Sequence, residues 1–117
     1  MEHPPRFVAS GEPFPEPWDA DLAARLVGAY ALVGTVFVSA SGERVAQYHG
    51  RIVSADPSAG IEIACEGRFA GETLVLPPAT GWFGPARSGE YRLKTTGEVV
   101  VDPDVLSTWR IEDAAGG

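Results

Sequence analysis

The stretch LVGTVFVSASGERVAQYHGRIVSADPSAGIEI, residues 32–63, decides how this chain folds. Thr35 to Ala40 is β-branched and apolar, which predicts a strand. Ser41-Gly42 predicts a tight turn. Glu43 to Ser54 predicts a long second strand of mixed polarity, bent at Gly50, where the missing side chain permits a bend and a close approach of backbone. Asp56-Pro57 with Ser58 and Gly60 predicts the next turn, capped by the Asp56 carboxylate. Ile61 to Glu66 alternates apolar and polar residues, the period of a half-buried strand.

Working upstream, Asp19 is a suitable helix N-cap, and Asp21 suits the positive end of a helix. Leu22, Leu26, Ala29 and Val33 then fall on one helical face. Gly28 weakens that helix and Gly34 is a stop signal, so the helix runs from 19 to a point between 27 and 33. Residues 1–18 form a proline-rich arm, with Pro4, Pro5, Pro13, Pro15 and Pro17. Proline fixes φ and lacks an amide proton, so the arm reads as extended. Phe7, Phe14 and Trp18 are large enough to pin it to the body.

Downstream, Glu72 to Leu76 predicts a strand stopped by Pro77-Pro78. Residues 77–89 are rich in glycine and proline. Tyr91 to Thr95, the turn Thr96-Gly97, and Glu98 to Val101 predict a hairpin. Leu106 to Ile111 predicts a last short strand, and 114–117 a flexible tail. The whole reads as one domain over 19–113, mostly β: an N-terminal helix followed by a small five-stranded barrel with an extra β-hairpin.

Within this pattern, Leu32-Val33-Gly34-Thr35-Val36-Phe37-Val38, the turn Ser41-Gly42, the run Gly50-Arg51-Ile52-Val53-Ser54-Ala55-Asp56, and Ile61 with Ile63 resemble the first motif of Sm-like proteins. The resemblance covers roughly a quarter of the chain and implies an atypical member of the Sm-like, SH3-like small-barrel superfamily. It also implies RNA binding as an alternative function. The chain departs from that family at Gly60, where RNA-binding members carry asparagine, and in lacking the second motif. The 77–89 insertion further departs from the surface on which the family builds rings, and homo-oligomerisation is left open.

Composition narrows the function. The chain has 117 residues and a net charge of −7. Five acids lie in residues 1–21 and five in 98–113, with the middle nearly balanced. Such a chain is repelled by phosphate backbones at long range. Its charge serves solubility first and a basic protein partner second. No apolar run approaches the ~20 residues of a membrane helix. The opening Met-Glu-His-Pro-Pro does not resemble a secretion signal, so a cytoplasmic location is expected.

Cys65 is the single cysteine and reads as a buried small hydrophobe. His3 and His49 form no metal-ligand spacing with it, and His49 reads as an exposed strand residue. There is no nucleophile elbow, phosphate loop or dinucleotide fingerprint. Asp102-Pro103-Asp104 reads as a turn capping the last strand. These residues predict a protein that is not an enzyme and carries neither cofactor nor metal.

The best candidate site is Trp82, Phe83 and Arg87 within the segment 77–87. Tryptophan and arginine dominate contact hot spots, and prolines lower the cost of ordering a loop. The two rings can equally plug one end of a barrel. The function these residues predict is a non-catalytic protein-binding module.

Overall fold

The computed structural model describes residues 3–12 and 14–112. Met1, Glu2, Pro13, Asp113 and the tail at 114–117 lie outside the described residues.

The chain enters along the arm and turns into α1 (Ala20–Leu26). Asp19 caps this helix: its Oδ1 accepts the Leu22 amide at 3.0 Å. The helix is shorter than its apolar spacing predicts. Val27 is its C-cap, and Gly28 adopts φ +93°, a left-handed conformation that ends helices. Ala29 and Val33 therefore leave the helix. The chain at 28–29 pairs instead with the sheet, through Gly28 N to Ile52 O at 2.8 Å and Ile52 N to Ala29 O at 2.9 Å.

Three antiparallel strands follow: β1 (Tyr30–Ser39), β2 (Gly42–Asp56) and β3 (Gly60–Cys65). β4 (Thr73–Leu76) adds a fourth. A 3-10 turn at Thr80–Trp82 leads to β5 (Phe83–Pro85). β6 (Glu90–Arg92) and β7 (Val99–Val101) make the expected separate hairpin, with a longer turn between them. β8 (Val105–Glu112) completes the sheet.

The main sheet has six strands in the order β4-β3-β2-β1-β8-β5, and it is not closed. β8 runs parallel to β1, and β5 runs antiparallel to β8. β4 and β5 are thus neighbours in sequence yet lie at opposite edges. Flat, those edges would stand about 24 Å apart. Residues 77–82 span at most about 24 Å when fully extended, and a 3-10 turn shortens them. The sheet must therefore curl to bring its edges within reach. The curl wraps a core of Leu26, Val33, Tyr48, Ile52, Ile61, Ile63, Leu74, Leu76, Phe83 and Trp109. A smaller cluster of Leu32, Leu93 and Val100 lies under the hairpin.

Gly50 acts differently from the expected bend. The register irregularity in β2 lies between Ile52 and Ser54, at Val53. At Gly50 the constraint is closeness: a Cβ there would stand 2.0 Å from the Ala64 carbonyl oxygen and 3.0 Å from Cys65 Cα. The neighbouring strand is so close that only glycine fits. The Asp56 cap does form, with Oδ1 accepting the amides of Ser58 at 2.8 Å and Ala59 at 2.7 Å. These two bonds hold its carboxyl below the usual range. No helix among the described residues is long and apolar enough to cross a membrane.

Candidate protein-contact site

The segment after β4 is fixed at several points before it reaches the surface. Asp19 N donates to the buried Thr80 Oγ1 at 3.0 Å, tying the helix start to the 3-10 turn. Trp82 N donates to Ala79 O at 3.1 Å, and Ser107 Oγ donates to Trp82 O at 2.7 Å. The backbone of Trp82 is therefore held by β8, the strand paired with β5.

Within this frame the two aromatic side chains are buried to different extents. Phe83 is 6% exposed and belongs to the core. Trp82 is 42% exposed. Its ring lies on Trp109, with centroids 4.5 Å apart and planes at 42°. Phe83 meets the same Trp109 edge-on at 6.4 Å. Trp109 is 3% exposed, and its buried Nε1 has no hydrogen-bond partner among the described residues. The result is an indole surface presented to solvent on a rigid aromatic base. Such a ring is already ordered, so a partner covering it gains apolar contact at little conformational cost.

Arg87 is exposed further along the same segment. Its carbonyl accepts the Tyr91 hydroxyl at 2.7 Å, which anchors the loop to β6. The structure thus brings Trp82 and Phe83 together over Trp109, while Arg87 joins them through chain continuity alone.

A second cluster escaped the sequence reading. His49 is not an exposed strand residue: it is 9% exposed. Its Nδ1 lies 2.7 Å from the Tyr30 hydroxyl. Its Nε2 lies 3.4 Å from Glu98 Oε1, without hydrogen-bond alignment. Glu98 Oε2 accepts the Arg68 amide at 3.1 Å. Burial alone would raise the Glu98 carboxyl, but bonds from Thr96 and Arg68 and the proximity of His49 outweigh it and hold the group below its usual value. Burial, helped by Glu66, pushes the Tyr30 phenol up to about 12. Gly67 makes the packing feasible, since a Cβ there would strike Glu98 Oε2.

The signal for this cluster was faint. A tyrosine, a histidine and a glutamate separated by 19 and then 49 positions share no motif. The pairing Tyr30↔Arg51 sets His49 near Tyr30, and the hairpin then delivers Glu98. Tyr30 and His49 border a 310 Å³ cleft that also includes Arg51, Val99, Val101 and Asp104. No metal-binding group of three or more His, Cys, Asp or Glu side chains occurs among the described residues.

Two smaller expectations fell on well-defined places. Cys65 is buried, and desolvation pushes its thiol up to about 11, so it stays protonated and inert at neutral pH. Asp102-Pro103-Asp104 is a turn of ties: Asp102 Oδ1 accepts Gly89 N at 2.7 Å and Asp104 Oδ2 accepts Tyr30 N at 2.8 Å. Compared with protein-family models, curated proteins and solved structures, the chain matches none.

Proposed function

We propose that this chain is a non-catalytic protein-binding module whose contact surface centres on Trp82. The observation that carries this reading is the half-exposed Trp82 indole held on buried Trp109. Large aromatic residues that are ordered before binding are the groups that dominate protein-contact energetics. Arg87, exposed on the same segment, supplies a polar edge. The acid near both ends of the sequence favours a basic partner and steers it at long range.

An Sm-like, SH3-like origin for the curled sheet is part of the same proposal. The helix leading into β1, the close approach at Gly50 and the Asp56 cap support it. The binding of uridine-rich RNA that this origin implies is disfavoured at Gly60. That residue has φ +101°, and a Cβ would stand 2.2 Å from the Leu76 carbonyl oxygen. An asparagine cannot sit there on this backbone.

The test is affinity capture from native lysate with the wild-type chain and Trp82→Ala, followed by identification of what is retained. A protein retained by the wild type and lost with the variant, at an unchanged melting temperature, is the expected outcome. Retention of RNA by both chains would replace this reading with the RNA-binding one.

A further inference from the structure

The outer edge of β4 is covered by the chain's own N-terminal arm. Val75 N donates to Pro5 O at 3.0 Å, and Phe7 N donates to Val75 O at 2.9 Å, forming a parallel bridge opposite Arg6. The Phe7 ring sits beside Gly60, where a Cβ would come 3.3 Å from Phe7 Cδ2. It meets the Phe14 ring edge-on at 5.8 Å. Pro4 is buried, and His3 Nδ1 lies 2.5 Å from Glu72 Oε1.

Directly after Phe7 this seating ends. Residues 8–12 are all exposed, with Val8 81% exposed. Ala9, Gly11 and Glu12 of this stretch line a 380 Å³ cleft together with Phe14, Trp18 and Pro57. The arm is therefore a seated segment, residues 3–7, on a link that packs little of its own surface. An uncovered apolar edge such as Thr-Leu-Val-Leu invites pairing with another chain, so the edge needs a cover. Nothing in the two backbone bonds, the Phe7 pocket or the His3–Glu72 pair requires that cover to come from the same molecule.

From this geometry we infer that the β4 edge also receives the arm of a second copy of this chain, so that an arm-exchanged dimer stands in equilibrium with the closed monomer. The complementarity is given, because the exchanged segment is the one already seated. The exchange also closes on itself. Two identical arms swapped between two identical β4 edges leave a two-fold pair with both β4 edges covered. On the arm's outer side Pro4 has no amide proton, so next to Arg6 the seated arm makes a poor template for a further strand. The product is a dimer and not a fibre.

The link sets the concentration scale. A short flexible tether holds its segment at an effective concentration of about millimolar. The monomer should dominate near 10 µM and the dimer should become appreciable towards about 1 mM, by the same argument. Sedimentation equilibrium of the full chain across that range reads this directly. A fluorescent peptide with the sequence of residues 3–12 tests the edge separately.

The peptide should bind the wild-type chain saturably but weakly, since the chain's own arm competes. It should bind a Phe7→Ala chain about tenfold tighter or better, because the edge is then free for more of the time. The Phe7→Ala chain should show no dimer, and a peptide carrying the same substitution should bind neither chain. A wild-type chain that stays monomeric at about 1 mM overturns the inference. So does peptide binding that ignores the phenylalanine, or a Phe7→Ala chain that dimerises like the wild type. If Phe7→Ala fails to fold, the wild-type titration decides: saturable, phenylalanine-dependent binding supports the exchange, and its absence refutes it.

Discussion

Two regions fasten late parts of the chain onto the sheet, and they do so with opposite physics. The Trp82–Phe83–Trp109 cluster docks the 80–85 segment onto β8 by ring contact. The Tyr30–His49–Glu98 cluster docks the β6–β7 hairpin and the 67–68 turn onto β1 and β2 through titratable groups. Ring contact is diffuse, insensitive to pH and tolerant of small shifts. The polar cluster needs partners at set distances and a glycine at 67 to make room, and its strength depends on charge. The first kind of dock can leave a ring half exposed for a partner. The second must be shut to be stable, and so makes a poorer contact surface.

The largest effect falls in β2, the strand that carries His49 of the polar region. Gly50→Ala places a methyl 2.0 Å from the Ala64 carbonyl oxygen, beside His49 and in the middle of β2. Backbone cannot yield as a flexible side chain can, so the expected loss is about 4 kcal/mol or more. Urea denaturation at neutral pH measures it, and an unchanged midpoint would mean that β2 and β3 are not so closely apposed.

Trp109→Ala removes the base of the aromatic dock alone. Deleting a buried tryptophan should cost about 3–5 kcal/mol. Because the rings that meet Trp109, those of Trp82 and Phe83, do not titrate, the loss should be the same at acidic and neutral pH. A loss that changes with pH would show that the two docks are coupled.

Glu98→Gln gives the smallest effect and the sharpest contrast, about 1 kcal/mol at neutral pH. The Glu98 carboxyl titrates below its ordinary 4.5 in the folded chain, so the unfolded chain takes up its proton first. Its contribution is present above that value and is lost as pH falls through the folded pKa. The gap between wild type and variant should therefore close on acidification. Tyr30 gives the mirror image. Its folded pKa of about 12 exceeds the ordinary 10.0, so its contribution is full below 10.0 and is lost as pH rises towards 12. Denaturation midpoints across pH check both directions. A wild-type-to-variant gap that persists in acid would remove Glu98 from the polar dock.

The difference in physics between the two regions explains what could be read early. Trp82 and Phe83 stand side by side in a proline-stiffened segment, and residue type alone marks such a pair. Which ring is buried depended on how β5 pairs with β8: Phe83 is in the core and Trp82 is left half exposed on Trp109. His49 read as exposed because its neighbours gave no period that would bury it. Its burial follows from the β1–β2 register and from a hairpin that arrives some 50 residues later.

By itself the sequence determined the local pieces: the capped helix, the turn at Asp56, the run of short strands and the β6–β7 hairpin. Each depends on contacts between residues close in the chain, where side-chain size, φ preference and capping chemistry act directly. Tertiary structure alone decided that β8 enters between β1 and β5 and runs parallel to β1, that the sheet curls without closing, and that His49 is buried. Parallel pairing and edge placement join residues far apart in sequence, and no local preference distinguishes one partner strand from another. Gly50 and Gly60 belong to both accounts. Their identity is visible in the sequence, but the reason for it is a carbonyl oxygen on another strand, 2.0 Å or 2.2 Å from where a side chain would begin.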